Sequence, residues 1–424
     1  MKINEVVIGK HKLIHVQGYG TIAPVSVRPY SDAQCYVTFF KLKPPAPGKD
    51  GTYLNTDMEV TVVEDAILEE KRIALFAEQL PNLLCHSFKV GSDPEVFVET
   101  ADKNLLPAFS FLRSVKEPNF TDIVDTNIPN THGPTGQKPI YWDGFQAEFQ
   151  TLASECLAWQ VDSTQLGLKA ALNYARKIDK GARLSSKTVF DIPMKLLSNS
   201  LEEHVSLGCM PSFNAYGLEG QRVPPRELPF RSAGGHIHLG IGSRPKEEME
   251  RIVKAMDMVL GVACVSLFAG MDDPRRRHFY GLPGEYRLPP HGLEYRTLSN
   301  AWLCHPLIMN MVFELARKAV VFGEKALTSM WQVEEKETLD CILTCNVDKA
   351  REILTTNKTV FCKILEAANL YPTDKAYNIF MNGVASAVDD YTDMETNWNL
   401  NGKWVTHSDG DGKSWRHSKF RRTG

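Results

Sequence analysis

The stretch Gly234-Gly235-His236-Ile237-His238-Leu239-Gly240 decides how this chain is interpreted. One residue separates its two histidines, so in a β-strand both imidazoles point to one face while Ile237 and Leu239 point to the other. The glycine pair leaves room for a large group to approach the backbone. This pattern fits a metal site, a catalytic pair or a solvated sheet face, and the neighbouring motifs have to decide between them.

Length and composition are those of a soluble globular protein that is long enough for two or three domains. The chain has 424 residues, 43% hydrophobic and 23% charged, with a net charge of -3. This charge balance argues against a dedicated DNA-binding protein. The N-terminus lacks a signal-peptide pattern, and the longest apolar run, Val259 to Met271, is too short to span a bilayer and predicts a buried helix. We therefore expect a cytoplasmic protein without a membrane partner.

The nine cysteines are scattered singly, and their odd number fits free thiols in a reducing cytosol. The sequence contains no Cys-x-x-Cys pair. Cys341 and Cys345 lie one helical turn apart in an apolar setting, which is more typical of core thiols than of a redox or metal pair.

The patterns divide the chain into three regions. Residues 1–84 alternate β-like runs, such as Val6–Ile8, with Gly/Pro turns and predict a small β-rich module that ends in a helix from about Asp65 to Leu80. Residues 85–389 carry the chemistry, and residues 390–424 form a polar basic tail. In the central region we expect strands over Phe88–Glu99 and Tyr141–Phe149. We expect helices over Ala153–Lys180, Ser243–Ala269 and Pro306–Leu327. The loop Pro211–Arg231 is a candidate lid.

Two acidic motifs precede the histidine stretch. In Gly91-Ser92-Asp93-Pro94-Glu95, the carboxylates of Asp93 and Glu95 share one face of a predicted strand, where they repel each other unless a cation neutralises them. A polar solvent-exposed face is the alternative. In Tyr141 to Gln150, Asp143 is either a turn residue or a ligand, and Glu148 is the better candidate for a metal ligand.

The third motif follows the histidines and is rich in arginine and free of lysine. It comprises Asp272 to Arg277, Tyr280 to Arg287 and Gly292 to Thr297. The planar guanidinium suits bidentate binding of phosphate or carboxylate. Glu294 and Arg296 are again two residues apart and share a face. A structural salt-bridge network is one alternative, and a nucleic-acid patch is disfavoured by the interleaved acids.

Together these motifs offer oxygen-rich ligands with one imidazole: Asp93, Glu95, Glu148, His236 and Glu294. Such a set favours Mg²⁺ or Mn²⁺ over zinc, and the excess of carboxylates and arginines argues against a zinc hydrolase. Enzymes that act on nucleoside triphosphates commonly bind them with divalent cations and arginines. The sequence has neither a P-loop nor the protein-kinase motifs.

The ordered motifs Gly-x-Asp-Pro-Glu, Asp-Gly-x-x-x-Glu-Phe, Gly-Gly-His-Ile-His-Leu-Gly and Gly-Leu-Glu-Tyr-Arg resemble the phage-type COOH–NH2 ligases (amidoligases, type 2) of the glutamine synthetase and glutamate–cysteine ligase superfamily. The resemblance covers roughly residues 85–305. It implies an α+β fold with a curved antiparallel sheet backed by helices. It also implies ATP and Mg²⁺ or Mn²⁺, an acyl-phosphate intermediate, and amide formation between an amine and a small-molecule or peptide carboxylate. If the chain is phage-encoded, it would work in the host cytoplasm.

The resemblance also implies roles for individual residues. Asp93, His236 and Glu294 would share one cation, and Glu95 and Glu148 would hold another, with Asp143 as a weaker third ligand. His238 would contact the nucleotide phosphates. The arginines that would bind phosphate or carboxylate are Arg275, Arg276, Arg277, Arg287 and Arg296, and Arg287, Arg296 and Glu294 would be catalytic.

Several points stay open at this stage. Asp93 replaces the glutamate usual in glutamine synthetases, and Asp143 and Glu285 are both possible as the acid that activates the amine. The alternatives to a ligase are a phosphotransferase on the related sheet and a non-catalytic binding or structural phage protein. The acid, the amine and the oligomeric state are not given by the sequence, although a modified nucleobase is among the conceivable substrates.

Overall fold

The computed structural model describes the backbone of four N-terminal strands and most of the chain after residue 87. The described residues are 14–16, 20–31, 34–43, 54–64, 88–116, 139–151, 153, 157–206, 212–324, 327–368, 370 and 372–401. They form antiparallel sheets and helices.

The N-terminal strands form an antiparallel sheet in chain order. Strands β1 to β4 are Ile14–Val16, Gly20–Ser31, Gln34–Lys43 and Leu54–Glu64. These strands lie within residues 1–84, where a β-rich module is expected. The expected β-like run Val6–Ile8 and the expected helix Asp65–Leu80 lie outside the described residues.

A five-stranded antiparallel sheet carries the histidine stretch. In spatial order its strands are β11 (Phe213–Asn214), β14 (Glu285–Arg287), β15 (Leu293–Tyr295), β13 (Ile237–Leu239) and β5 (Val90–Ser92). His238 lies opposite Glu294 on one neighbouring strand and Gly91 on the other. This register places the His-x-His stretch between the two segments that contain acidic motifs.

A four-stranded antiparallel sheet carries the other acidic residues. Its order is β7 (Ile140–Asp143), β8 (Gln146–Phe149), β6 (Glu95–Glu99) and β9 (Arg183–Ser185). A separate two-stranded ladder pairs β10 (Val189–Asp191) with β12 (Phe230–Ser232).

The two larger sheets meet at Asp93 and Pro94, and the expected single strand Phe88–Glu99 is therefore wrong. Pro94 has no N–H group to donate to a ladder, and the chain passes there from β5 in one sheet to β6 in the other. Hydrogen bonds to residues far away in the sequence hold this junction in place. The Glu95 N–H donates to Gly234 O at 3.0 Å, and the Asn300 side chain donates to Glu95 O at 3.0 Å.

The three expected long helices are present, with shorter bounds, and one of them is interrupted. The described α-helices are Leu157–Ile178, Met194–Asn199, Glu202–Val205, Lys246–Met256, Val262–Leu267, Pro306–Glu324, Glu335–Leu343, Val347–Thr356, Lys358–Ala367, Thr373–Asn382 and Met394–Asn397. Between Lys246–Met256 and Val262–Leu267 the chain forms a π-helical turn, Asp257–Gly261, in place of the continuous helix expected over Ser243–Ala269. Among the described residues no helix has the length and apolar character needed to cross a membrane.

The hydrophobic core lies between the helices and the apolar faces of the sheets. Ile237 and Leu239 are fully buried in it, as their alternation with the histidines predicts. Helices Lys246–Met256 and Pro306–Glu324 approach so closely that a Cβ on Gly323 would lie 2.8 Å from Ile252 Cα. Close helix approach of this kind requires glycine.

The C-terminal segment packs on this core beyond the expected boundary at residue 390. Trp398 and Leu400 are almost fully buried. The Trp398 indole donates a hydrogen bond to Leu303 O, and the Gln165 side chain donates one to Trp398 O. Residues up to 400 are therefore part of the packed body, and the basic segment 416–422 lies outside the described residues.

The described cysteines agree with the expectation of free core thiols. Cys264, Cys304 and Cys341 are buried free thiols, and Cys345 is half-buried. Burial raises the pKa of Cys341 to about 12, which keeps this thiol protonated near neutral pH and unreactive.

Asp257 is a buried carboxylic acid beneath the five-stranded sheet. It is fully buried and accepts hydrogen bonds from the Tyr295 hydroxyl at 2.6 Å and the Thr297 hydroxyl at 3.2 Å. Burial raises its pKa to about 7, although these hydroxyls lower it.

We expect Asp257 to make the fold less stable as pH rises. The folded-state pKa lies above the value near 4 of an unfolded aspartate, so the folded protein binds more protons between pH 4 and 7 and loses stability over that window. Asp257→Asn mimics the protonated acid. From pH 4 to 8 the free energy of unfolding of the wild type should fall by roughly 2–4 kcal/mol relative to this variant, measured by urea denaturation. Parallel pH profiles would contradict this expectation.

Candidate active site

A histidine and two carboxylates come together on the five-stranded sheet. His238 on β13 lies directly opposite Glu294 on β15, and Asp93 follows β5 on the other side of His238. His238 Nε2 lies 3.0 Å from Asp93 Oδ1. One donor atom from each of the three side chains lies within 4.8 Å of the other two. We call Asp93, His238 and Glu294 the histidine triad.

The contact between Asp93 and His238 leaves two buried atoms without a hydrogen-bond partner among the described residues. Asp93 Oδ1 and His238 Nε2 are close but not aligned as a hydrogen bond. Burial by itself raises the pKa of Asp93, but the neighbouring His238 and His236 outweigh burial and hold that pKa far below its usual range. Burial lowers the pKa of His238, and Asp93 raises it above its usual value. Buried polar atoms without a hydrogen-bond partner need an explanation, and a cation bound to both atoms would supply one.

His236 reaches the same group of side chains, and one of its ring nitrogens is hydrogen-bonded to a tyrosine. Its Nδ1 lies 3.3 Å from Asp93 Oδ1 and 3.6 Å from Glu294 Oε1, and its Nε2 is hydrogen-bonded to the Tyr280 hydroxyl. Burial and the charge of Arg296 lower its pKa. Both histidines therefore lie beside Asp93, and the roles that the resemblance implies, His236 for the cation and His238 for the nucleotide, stay predictions.

A second group, made only of carboxylates, lies on the four-stranded sheet. Glu95 on β6 and Glu148 on β8 are direct cross-strand neighbours, and Asp143 stands at the end of β7. One oxygen from each lies within 4.8 Å of the other two. Glu95 Oε2 accepts the Gly234 N–H at 2.8 Å, and Glu148 Oε1 accepts the Tyr141 hydroxyl at 2.6 Å. We call Glu95, Asp143 and Glu148 the carboxylate triad.

Burial and mutual repulsion raise the pKa of all three members of the carboxylate triad. Burial, followed by the charge of Asp143, raises the pKa of Glu95 to about 7. Burial, followed by the charges of Asp93 and Asp143, holds the pKa of Glu148 well above its usual value. Burial also raises the pKa of Asp143, although Arg296 opposes it. Three close carboxylates need protons or a cation to offset their repulsion.

The carboxylate triad borders a cavity of about 130 Å³, which we call the smaller cavity. Asp93, His236, Arg287 and Arg296 are among its other polar lining residues. Its apolar wall contains Leu228, Phe230, Phe279 and Tyr280. Acidic groups, arginines and aromatic rings therefore share one small space.

A cavity of about 630 Å³, the larger cavity, lies next to the histidine triad. Phe88, Lys89, His238 and His291 are among its lining residues. Asp93 lines both cavities. This side chain therefore borders both spaces.

Arg287 and Arg296 both line the smaller cavity. Arg296 is buried, pairs with Glu294 and donates to the Tyr280 hydroxyl at 2.7 Å. Its pKa is raised, because Tyr280, Glu294 and Glu285 together outweigh the desolvation that would lower it. Arg287 Nη1 lies 3.7 Å from Glu294 Oε1, and a quarter of its side chain is exposed. Arg287 is thus the more accessible of the two guanidinium groups.

The run Arg275 to Arg277, to which the resemblance assigns phosphate or carboxylate binding, is engaged with other parts of the protein. The side chains of this run line neither cavity. Arg276 is fully buried and donates to Thr297 O and Leu298 O, both at 2.8 Å. The buried Arg277 pairs with Asp272 at 2.7 Å. The exposed Arg275 pairs with acidic side chains at the surface.

Glu285, one of the two acids considered for activating the amine, is engaged in holding a loop. Its carboxylate accepts the Gly281 N–H at 2.7 Å, the Leu282 N–H at 3.1 Å and the Ser212 hydroxyl at 2.8 Å. Asp143, the other acid, lines the smaller cavity.

The candidate lid Pro211–Arg231 is fastened at its C-terminal end. The Arg231 guanidinium is buried and donates to four backbone carbonyls, those of Val205, Pro225, Leu228 and Phe230. Leu228 and Phe230 line the smaller cavity. This end of the segment is therefore a fixed wall of the site.

Other residues of the protein fill the space beside the glycine pair that precedes the histidines. A Cβ on Gly235 would lie 2.3 Å from both Ser299 O and Trp302 Nε1, and the Trp302 indole donates to Gly235 O at 3.1 Å. The group that approaches the backbone is thus a buried tryptophan, and the expected room is already filled.

Two residues near the site were not singled out from the sequence. Tyr280 contacts both His236 and Arg296, and His291 contacts His238. Both stand outside the described strands, so no strand periodicity marks the direction of their side chains. Only the place of Tyr280 inside the arginine-rich motif, and of His291 directly before the last part of that motif, could have suggested them.

Residues 227–400 match the model of the family described as phage phiEco32-like COOH.NH2 ligase-type 2. The match confirms the resemblance inferred from the motifs for this part of the chain. It contains His236, His238, Glu294 and the arginines, whereas Asp93 and the carboxylate triad precede it. A comparison with curated proteins finds no match.

Proposed function

We propose, from the ligase family that matches residues 227–400, that this protein is an ATP-dependent carboxylate–amine ligase. The observation that carries the proposal is the pair of triads: the carboxylate triad and Asp93 of the histidine triad line one small cavity that also contains arginines. A ligase of this kind has to bring two anions, a triphosphate and a carboxylate, into contact.

The donor set fits two divalent cations. Asp93, His238 and Glu294 would hold one, and Glu95, Asp143 and Glu148 the other. Oxygen donors with a single imidazole favour Mg²⁺ or Mn²⁺. When bound, these ions would offset the negative charge of the phosphates.

The sizes of the cavities suggest which substrate each one takes. The larger cavity, at about 630 Å³, is in the range that holds a nucleotide, and it presents Phe88 to a flat ring and Lys89 to an anionic group. The smaller cavity, at about 130 Å³, suits the reacting end of a carboxylate, with Arg287 and Arg296 in its wall. Because Asp93 lines both cavities, the γ-phosphate and the carboxylate would meet beside it.

The reaction we propose has two steps. A carboxylate oxygen attacks the γ-phosphorus of ATP, and ADP leaves with the electrons of the broken P–O bond. The amine nitrogen then attacks the acyl carbon, phosphate leaves, and the nitrogen loses a proton. Arg287 would orient the carboxylate and stabilise the charge of the acyl phosphate. Arg296, held by Glu294 and Tyr280, would keep this wall of the cavity rigid.

The test uses hydroxylamine as the amine, because it converts an acyl phosphate into a hydroxamate. The wild-type protein is incubated with ATP, Mg²⁺ and a panel of amino acids and short peptides as carboxylates. We expect ADP, phosphate and hydroxamate in equal amounts, measured by coupled assay and mass spectrometry. Glu294→Ala is the inactive control, since it removes a member of the histidine triad.

Two outcomes would overturn the proposal. Formation of ADP and a stable phosphorylated product, without any need for an amine, would indicate a phosphotransferase. Absence of Mg²⁺-dependent ATP binding in calorimetry would indicate a non-catalytic binding or structural protein.

A further inference from the structure

We propose that His291 is a positioning residue, which holds His238 in the tautomer and orientation that present Nε2 to the cation of the histidine triad. The inference rests on the proposed function, because it concerns the cation site of that reaction. It assigns a role to a residue outside both triads.

His238 lies between two partners. Its Nδ1 is 3.1 Å from His291 Nε2, and its Nε2 is 3.0 Å from Asp93 Oδ1. The rings of His238 and His291 are 5.2 Å apart and inclined by 41°. The contact with His291 thus uses the ring nitrogen that faces away from the triad.

His291 is exposed, yet its backbone is fixed by the loop between β14 and β15. The Gly242 N–H donates to His291 O at 3.1 Å, and the Gly292 N–H donates to Pro289 O at 2.9 Å. Gly292 has a φ of 139°, and a Cβ on it would lie 2.6 Å from Leu239 O. Only glycine permits this close packing of the loop on the strand that carries His238. The position of His291 is therefore set by the sheet.

The chemistry of metal-binding histidines explains what the contact between His238 and His291 would do. An imidazole that binds a cation through Nε2 carries its proton on Nδ1, and that N–H needs an acceptor. The Nε2 lone pair of His291 lies at hydrogen-bond distance from this proton. Without His291, the ring of His238 can rotate or change tautomer, and Nε2 then no longer presents its lone pair to the triad.

The test compares His291→Ala with His291→Gln, in which an amide oxygen takes the place of the imidazole Nε2. Mn²⁺ binding to the full chain is measured without nucleotide by electron paramagnetic resonance. We expect the Mn²⁺ affinity of His291→Ala to fall by about 10–100-fold, the usual effect of losing the acceptor behind a metal-binding histidine. We expect His291→Gln to stay within roughly threefold of the wild type, since its acceptor is kept. His278→Ala, which removes an exposed histidine that lines neither cavity, is the control and should bind like the wild type.

A second readout separates positioning from a general loss of structure. In Mg²⁺-loaded protein with ¹⁵N-labelled histidine, His238 should carry its proton on Nδ1 in the wild type and in His291→Gln. In His291→Ala its signals should show a mixture of tautomers. Wild-type Mn²⁺ affinity in His291→Ala, or equal weakness in the Ala and Gln variants, would overturn the inference.

The cation site and the role of His291 can be tested separately. If the wild type binds no Mn²⁺, the cation site and the proposed function are both wrong. If the wild type binds Mn²⁺, Asp93→Asn does not, and His291→Ala binds as the wild type does, only the role of His291 is wrong.

Discussion

Asp93→Asn is expected to lower the rate of amide formation by at least about 10³-fold, because it removes the carboxylate that lines both cavities. Asp93 lies 3.0 Å from His238 Nε2 and 3.3 Å from His236 Nδ1, and it lines the smaller and the larger cavity. Asparagine keeps its shape but lacks the charge that a divalent cation requires. The measurement is steady-state release of phosphate, together with Mn²⁺ binding by electron paramagnetic resonance.

The matched control is Glu99→Gln, a carboxylate replaced by its amide on the neighbouring strand β6. Glu99 pairs with Lys187 at 2.9 Å and belongs to neither triad. Its turnover and Mn²⁺ affinity should stay near the wild-type values. If Asp93→Asn keeps more than about a tenth of the wild-type turnover, the central place of Asp93 is wrong.

Arg276→Met is expected to destabilise the fold by about 3–5 kcal/mol, because it leaves buried carbonyl groups without donors. Arg276 is fully buried, and its guanidinium donates hydrogen bonds to Thr297 O and Leu298 O. These carbonyls follow the strand that carries Glu294. Methionine fills much of the space but donates no hydrogen bond. Chemical denaturation measures the loss, and the nucleotide affinity of the folded fraction should remain unchanged.

Arg275→Ala provides the contrast within the same run. Arg275 is exposed and pairs with Asp191 and Asp273, and such surface pairs are worth at most about 1 kcal/mol. Both its stability and its nucleotide affinity should be near those of the wild type. A stable Arg276→Met variant that has lost nucleotide binding would restore the phosphate-binding role that the sequence suggested.

The parts of the site that follow from strand periodicity could be predicted from the sequence. His236 and His238 both reach Asp93, and Glu294 contacts Arg296, as their spacing of two residues requires. The sequence also marked Glu95 and Glu148 as candidate metal ligands, but it did not show that they are neighbours. Only the register of β6 against β8 places them opposite each other. Register depends on contacts between distant segments, which local patterns do not contain.

Other features of the site depend on what surrounds a side chain, which a local sequence pattern does not contain. The run Arg275 to Arg277 has the composition of a phosphate-binding segment, but the carbonyls of residues 296–298 draw Arg276 inward. The glycine pair at Gly234 and Gly235 indicates a close approach without saying that Trp302 makes it. Pro94 marks a break in the strand, yet only the sheets show that the chain changes from one to the other there.

The junction at Asp93 and Pro94 also bears on how the protein reaches its active form. Its hydrogen bonds join Glu95 to Gly234, 139 residues away, and to Asn300, 205 residues away. Contacts between such distant segments form slowly, since long loops have to close first. Catalytic activity should therefore be among the last properties that a refolding chain recovers, well after its helices have formed.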